Sequence, residues 1–370
     1  MTRFSCLALA VLLFAACDDP SNVGLGLVGD EGGTPEIVRV SLPLASLDQA
    51  ERTGNANQSL AGITDDPALG TIRAAAYLDF GSASVLNTNS TLSDFRASNV
   101  VGVTLELPVS YRYGDTLSTV RYALRSITAP FVATGAESDT SFAVGDVITT
   151  FEAQANATTV SVALPDDWVA RLDTTLRGSN FLNTFNGFYL EPLSGNAVLG
   201  FRQFSVSAQS LASLTARSAS DTVRYVANTG VTTISRSGAP SLPAGAMLLQ
   251  DGFRHTLVLD MNDQAVNATY ANAGLARATI ELPTLSTLGD VGSYVRPPAF
   301  EDLQLVAIDA DGNDVVSGTS LLILIEGDLS DNTLRFSSAR LQQLVQRNLL
   351  GNPLCYDETS TDCFGRLAIR

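Results

Sequence analysis

The side chains that could perform chemistry are few in this sequence and lie in short, separated groups. The sequence contains one histidine, His255, whereas a serine nucleophile usually needs a histidine base and an orienting acid. His255 begins the strand-like segment HTLVLD, so we expect a solvent-exposed residue at a strand end. The same scarcity argues against a histidine-based zinc site. We therefore expect no catalytic residues of these two kinds.

Two pairs of adjacent carboxylates could in principle serve as general acid and base. Glycoside hydrolysis needs two carboxyl groups facing each other across a cleft, which neighbours in sequence seldom do. Asp65 and Asp66 precede Pro67 and are typical of a turn. Asp166 or Asp167 is expected to cap the helix that follows. Both pairs are interpreted as structural.

The segment DADGND alternates oxygen ligands in the manner of a calcium loop. Its candidate calcium ligands are Asp309, Asp311, Asn313 and Asp314. The distal glutamate of an EF-hand is absent, since position 320 is serine. Asp-Gly between the apolar segments LQLVAI and VVSG also predicts a hairpin turn. A turn alone and a turn that binds calcium both remain open, and no other cofactor is expected.

Tyr111 and Tyr113 lie two positions apart in YRYGDT and therefore share one face of a strand. If that face is exposed, the rings offer stacking surfaces for a sugar or a peptide. If it is buried, they belong to the core or to a sheet edge, which is the interpretation we favour.

The N-terminus has the layout of an export signal that ends at a cysteine. Residues 1–16 carry an early arginine, an apolar run and a small pair before Cys17, which is typical of a signal peptide. The apolar run is too short to cross a bilayer, which needs roughly 20 residues. Small residues before Cys17 predict acylation of that cysteine and an anchor in the outer membrane, with either membrane face open. Ordinary cleavage, with Cys17 an incidental thiol, is the alternative. Residues 17–36 are rich in Gly, Pro and acids and predict a flexible tether.

Cys355 and Cys363 flank a polar stretch near residue 360. In an oxidising envelope such neighbours are expected to form a disulfide. A metal site there would need further ligands, and the local sequence offers only carboxylates.

Composition restricts the class of partner. The chain has 370 residues, 45% hydrophobic content and a net charge of −16, so nucleic acid, which requires basic patches, is excluded as a partner. Only 16% of residues are charged, Thr, Ser, Val and Leu are abundant, and the apolar runs are short, which together favour an exported β protein. All 22 basic residues are arginine, which salty surroundings or codon bias would explain equally well.

An internal repeat runs through the chain. VTLELP at 103–108 matches ATIELP at 278–283, and the neighbouring segments fall into step. The other matched pairs are AYLDF (76–80) with LVLDM (257–261), VRYALRSI (120–127) with LQLVAID (303–309), TVSVAL (159–164) with TLRFSS (333–338), and GFYLEP (187–192) with GRLAIR (365–370).

In each half a short helix is predicted before the last matched strand, GFYLEP in the first half and GRLAIR in the second. In the first half the apolar face consists of Trp168, Val169, Leu172 and Leu176. In the second half Ser337 or Ser338 is the predicted cap, and the apolar face consists of Leu341, Leu344, Val345 and Leu349. Both faces have helical spacing.

These patterns predict an all-β fold with two jelly-roll-like β-sandwich units, each with one short helix. We place the first unit at 37–215 and the second at 222–370, with the polar segment 216–221 as the seam. The second unit is expected to borrow a strand, for which 222–228 is the candidate.

Three segments resemble a known family, the uncharacterised outer-membrane lipoproteins grouped under a domain-of-unknown-function label in Gram-negative bacteria. They are CDDPSNVGLGL from Cys17, DDPALGTIRAAAYLDF (65–80) and VSYRYGDT (109–116). Leu69 departs from the family pattern, which has an aromatic residue there. The resemblance implies an envelope lipoprotein with an N-terminal anchor and implies no activity. More weakly, the repeat resembles the jelly-roll modules attached to secreted polymer-degrading enzymes.

The sequence thus favours a non-catalytic envelope lipoprotein that presents a binding or scaffold surface to an envelope protein or a polysaccharide. Two alternatives remain open. One is an extracellular polymer-degrading enzyme resembling glycoside hydrolases, and the other is a structural subunit of an outer-membrane assembly.

Overall fold

The computed structural model divides the chain into a compact unit, Leu42–Arg370, and a separate segment, Met1–Ser41. It describes these residues: 37–42, 44–48, 53–54, 56–86, 91–203, 211–219, 221–238, 240–242, 247–249, 255–261, 269, 274–283, 291–296, 303–309, 315–317, 320–321, 323–331, 333–349 and 366–369. The predicted signal peptide and tether lie outside these residues.

The compact unit is all-β, as predicted, with antiparallel sheets and short helices. The strands up to residue 237 are β1 Leu44–Asp48, β2 Gln58–Asp66, β3 Gly70–Val85, β4 Val100–Asp115, β5 Thr119–Ile127, β6 Val144–Gln154, β7 Thr159–Ala163, β8 Phe188–Ser194, β9 Ala197–Arg202, β10 Ser213–Ser218 and β11 Thr222–Ser237. The later strands are β12 His255–Asp260, β13 Thr279–Pro283, β14 Tyr294–Val295, β15 Gln304–Ile308, β16 Val316–Ser317, β17 Ser320–Leu321, β18 Ile323–Glu326, β19 Asp328–Ser330, β20 Thr333–Ser337 and β21 Arg366–Ile369.

The described helices are α1 Leu92–Arg96, α2 Asp166–Arg177, α3 Phe181–Thr184 and α4 Ala339–Leu349. α2 and α4 are the two helices that the repeat predicts. Trp168, Val169 and Leu176 are buried in α2, and Leu341 and Leu344 are buried in α4. Both predicted apolar faces therefore pack into cores.

The two halves share one strand order in their main layers. In the first half β6, β5, β8, β3 and β11 are neighbours, and in the second half β18, β15, β21, β12 and β1 follow the same order. A second pair completes each half. Leu107 of β4 lies opposite Val160 of β7, and at the matching positions Leu282 of β13 lies opposite Leu334 of β20.

The structures of β8 and β21 correspond with an offset of one residue from the sequence match, which aligns Gly187 with Gly365. Phe188 pairs with Leu78, and at the equivalent position Leu367, not Arg366, pairs with Leu259. In the register given by the glycine match, Arg366 would point into the core, because successive side chains of a strand point to opposite faces.

Each half has its own core between the five-stranded layer and the second strand pair with its helix. The first contains Leu78, Leu105, Leu107, Leu124, Trp168, Phe188 and Leu190. The second contains Leu259, Leu305, Leu334, Phe336, Leu341, Leu367 and Ile369. This is the sandwich arrangement, with apolar residues alternating inward along each strand.

Strand pairing differs from the predicted seam and borrowed strand. Residues 216–221 lie at the β10–β11 hairpin, and β11 pairs with β10 and β3 of the first half. The strand that the second half takes from elsewhere is β1, which pairs with β12. Residues 216–218 belong to β10, and β10 and β11 each pair with another strand of the first half, β4 and β3.

In the first half the pairing also closes on itself. β3, β2, β9, β4, β10 and β11 are joined in that order, and β11 returns to β3. Each of these six strands thus pairs with two others of the set, although β2 meets β3 only over residues 62–66.

Candidate functional site

Asp66, from the first carboxylate pair, lies in a buried polar network. Its side chain is 0% exposed and that of Arg296 is 8% exposed. Arg296 donates from Nε to Oδ2 at 2.9 Å and from the guanidinium NH2 to Oδ1 at 3.0 Å. The backbone N–H groups of Ala68 and Leu69 also donate to Oδ1, so the predicted turn is confirmed.

The hydroxyl of Tyr113 donates to Oδ2 of Asp66 at 2.9 Å. Burial alone would raise the pKa of Asp66, but hydrogen bonds from Arg296, Ala68 and Tyr113 outweigh it and lower the pKa. Five donors therefore hold one ionised carboxylate. An acid whose lone pairs are all engaged and whose side chain is sealed from solvent is suited to stabilising the fold.

The second pair, Asp166 and Asp167, lies in the first turn of α2. Pro165 occupies the N-cap position and no side chain caps the helix, so the expected capping by an aspartate is wrong. Proline at a helix start fixes a suitable φ, and the two acids favour the positive end of the helix dipole. Ser338 does cap α4, since its Oγ accepts from the backbone N–H of Leu341 at 3.0 Å.

Tyr111 and Tyr113 belong to a buried cluster. Tyr113 and Tyr294 are buried members of the cluster, at 4% and 9% exposure, and half-buried Tyr111 packs against it. Burial raises the pKa of Tyr113 far above its usual range, which keeps its hydroxyl a donor. Tyr113 thus lies in a core, as the favoured interpretation expects, whereas Tyr111 is half-buried beside it.

Several predicted sites fall wholly or partly outside the described residues. Cys17, Cys355, Cys363, Asp311, Asn313 and Asp314 lie outside them. Asp309 follows β15 and is half-buried, and His255 begins β12 as predicted, although its side chain is outside the described part. Among the described residues, no three His, Cys, Asp or Glu side chains cluster as a metal site would require.

A different set of residues meets on the outer face of the first five-stranded layer. Cross-strand register aligns one residue from each strand in a row, which we call the first outer row: Val147, Arg125, Tyr189, Tyr77 and Val231. Residues opposite one another in paired strands point to the same face. The row therefore brings two tyrosines and an arginine together on the face opposite the core.

A loop covers part of this row. Residues 128–143 leave β5 and return to β6, and their ends join where Thr128 N donates to Ala143 O. Midway, Ser138 O accepts from Ile234 N, so the loop reaches β11. Phe142 N donates to the hydroxyl of Tyr77 at 3.4 Å. The loop thereby seals Tyr77 and leaves Tyr189 half-buried at its margin.

Four rings form an aromatic cluster there: Tyr77, Tyr189, Phe131 and Phe142. Tyr77 and Tyr189 have centroids 4.5 Å apart, and Phe142 meets Tyr77 edge to face at 5.1 Å. Phe131, Phe142 and Tyr189 each keep partial exposure. Such contacts fix the rings in position, so their exposed parts form a pre-organised surface.

Charged groups adjoin the cluster in what we call the arginine–glutamate strip: Arg73, Arg125 and Glu191. Arg125 Nε lies 2.6 Å from Glu191 Oε2, and Arg73 lies 3.8 Å from Oε1 of the same carboxylate. Arg125 also donates to Gly145 O. Arg73 has no further hydrogen bond within the described residues, and its side chain is 40% exposed. Its guanidinium is therefore partly open to an incoming acceptor.

Tyr189 carries a neutral hydroxyl beside this strip. Burial, followed by nearby Tyr77 and Glu191, raises the pKa of Tyr189 to about 12. Its hydroxyl makes no hydrogen bond to any described group. Ring faces, a neutral hydroxyl and fixed planar ions together can stack on and hydrogen-bond a polar ligand.

Sequence reasoning missed this surface. Tyr189 and Tyr77 were recognised only as strand residues, and Phe131 and Phe142 lie in a segment without periodicity. Both tyrosines stand at alternate positions to core residues, Leu78 and Leu190, and that alternation is the signal that would have placed them outward.

Comparisons with known proteins give little. No family model matches the chain and no curated protein matches it. A solved structure described as a "putative secreted protein" from Parabacteroides distasonis ATCC 8503 aligns with 8% identity and a TM-score of 0.18, covering 88% of this chain and 97% of that one. So low a score carries no argument. Within the described residues, no helix is long and apolar enough to span a membrane.

Proposed function

We propose that this chain is a non-catalytic envelope lipoprotein, anchored in the outer membrane through Cys17, that binds a polysaccharide on the outer face of its first half. The observation that carries the binding proposal is the aromatic cluster beside the arginine–glutamate strip. Aromatic rings contact the apolar faces of sugar rings, and planar charged groups hydrogen-bond pairs of hydroxyls.

The state of the carboxylates supports a non-catalytic role. Asp66 is saturated with donors. Oδ1 of Asp65 accepts from Thr71 at 2.6 Å. Asp167 pairs with Arg171 on the helix surface. Neither predicted pair faces a partner across a cleft.

Polysaccharide binding is tested with the full chain carrying Cys17→Ser, which removes the proposed anchor. Binding to a panel of immobilised polysaccharides is measured for this protein and for the added change Tyr189→Ala. We expect affinity to fall at least tenfold with Tyr189→Ala. Leu117→Ala is the matched control, because Leu117 is 73% exposed and outside the cluster. Equal losses in both variants, or no binding to any polysaccharide, would contradict the proposal.

The anchor is tested separately by fractionating cells that produce the native chain or Cys17→Ser. We expect the substitution to release the protein from membranes, since acylation at one cysteine supplies the apolar chains that hold it. Unchanged membrane retention would refute the anchor and leave the binding proposal intact.

A protein partner is a second candidate for the same face. Val132, Val144 and Val147 are exposed beside the cluster, by 72%, 39% and 44%, and apolar side chains near tyrosine and arginine are typical of protein interfaces. Co-purification of a stoichiometric partner that Val147→Asp abolishes and Tyr189→Ala spares would favour this candidate.

A further inference from the structure

The arginine–glutamate strip contains two arginines and one glutamate, and its two ion pairs are unequal. Arg125 is engaged by Glu191 at 2.6 Å and by Gly145 O. Arg73 meets Glu191 only at 3.8 Å and is the more exposed. The Glu191 carboxylate is therefore used mainly by Arg125, and Arg73 keeps unneutralised positive charge on the surface.

Arg73 lies next to the aromatic cluster on the same face. It is four residues before Tyr77 on β3, and alternate strand residues share a face. Glu191, which contacts Arg73, is two residues beyond Tyr189 on β8. One ligand can therefore touch the Tyr189 ring and the Arg73 guanidinium together.

On this basis we propose that the ligand is an anionic polysaccharide, whose carboxylate pairs with Arg73 while its sugar ring lies against Tyr189. The inference rests on the polysaccharide-binding function proposed above and adds its charge. A guanidinium presents a planar fork that matches a carboxylate, and such charge-assisted hydrogen bonds are about twice as strong as neutral ones.

The net charge of −16 opposes an anionic polymer only at long range. At physiological ionic strength the screening length is about 8 Å, so repulsion from distant acids is largely removed. Within the arginine–glutamate strip itself, two arginines face one glutamate.

The test compares two polymers with the same backbone, polygalacturonate and its fully methyl-esterified form, which lacks the charge. The full chain with Cys17→Ser is measured by titration calorimetry at physiological salt, alone and with Arg73→Gln. We expect the unsubstituted protein to bind the free acid about tenfold more tightly. Arg73→Gln should abolish that preference, because it lowers affinity for the free acid more than affinity for the ester.

Arg335→Gln is the matched control, because Arg335 is equally exposed and pairs with Glu281 in the second half. It should keep the preference. Equal affinity of the unsubstituted protein for both polymers, or a preference that survives Arg73→Gln, overturns the charge inference but leaves polysaccharide binding standing. Binding to neither polymer, nor to any of the panel, overturns both proposals. Because Arg73 is exposed, its substitution is expected to leave the far-ultraviolet circular dichroism unchanged.

Discussion

The outer rows of the two five-stranded layers occupy equivalent positions and differ in side-chain chemistry. In the second half, cross-strand register aligns Val306, Ala368, Val258 and Ala45, which we call the second outer row. Tyr189 thus corresponds to Ala368, and Tyr77 to Val258. The inner faces of both layers are lined mainly by leucine and other apolar residues.

This difference shows which face specifies the fold. Inner residues such as Leu190 and Ile369 are fully buried in both halves, and burial of one face fixes the register of every strand. The outer face is then open to divergence. In the first half it carries rings and charges with partial exposure, and in the second half Ala368 and Val306 are buried at 0% and 3% exposure.

The largest expected effect on stability comes from placing a tyrosine, as in the first outer row, at the matching position of the second outer row. Ala368→Tyr inserts a ring where the structure is filled, and overpacking costs about 3 kcal/mol of unfolding free energy. Urea denaturation measures it. Ala45→Tyr is the control, since Ala45 is exposed in the same row and should change stability by less than about 0.5 kcal/mol. Similar costs at both positions would show that the second row has room for a ring.

Asp79 and Asp260 occupy matching positions of the repeat, and substituting them is expected to have effects of intermediate size on stability. Asp260 lies opposite Arg366, whereas Asp79 lies beside Gly187, where an added Cβ would be 2.9 Å from the Asp79 Cα. Asp79 accepts a hydrogen bond only from its neighbour Phe80 within the described residues. Burial therefore raises its pKa from 3.8 to about 6.

A raised pKa means that the unfolded chain loses its proton first. Stability from Asp79 is greatest below pH 3.8 and is lost as the pH rises to about 6. Asp79→Asn should thus become more stabilising between pH 4 and pH 7, by about 2 kcal/mol, measured as the difference in unfolding free energy from the native chain. Asp260→Asn is expected not to stabilise, because it removes the charge opposite Arg366. A constant difference for Asp79→Asn across this range would contradict the raised pKa.

The smallest expected effect separates the two helices. Ser338→Ala removes the side-chain cap of α4 and should cost about 1 kcal/mol. Asp166→Ala in α2, where Pro165 occupies the cap position without a side-chain bond, should cost less than about 0.5 kcal/mol. Thermal unfolding of both variants decides, and equal costs would refute the difference in capping.

The sequence predicts the repeated elements well because they are local. Alternation along β4 and β20, and helical spacing in α2 and α4, are written in short windows. The turn at Asp66 is also readable, since Pro67 and a short acidic side chain act within a few residues. The match on ELP also gives the equivalent pairing of β4 with β7 and of β13 with β20, whereas the match on the glycines is one residue out for β8 and β21.

Long-range partners are what local patterns do not reveal. Nothing near Asp66 indicates Arg296, which is 230 positions away, and nothing in β11 indicates that it closes a ring with β3. The outer aromatic cluster joins rings from two strands and an irregular loop. Its residues meet only through tertiary packing, and no short stretch of the sequence contains all of them.

The place of β1 has a kinetic consequence. Asp48 of β1 pairs with His255 of β12, 207 positions later, and β21 enters between β12 and β15 only after both have been made. Closing so long a loop is entropically costly and slows folding. Because synthesis begins at the N-terminus, the strands of the first half can pair with one another before the partner of β1, β12, has been made. The second five-stranded layer is therefore expected to form late, after the first half has folded.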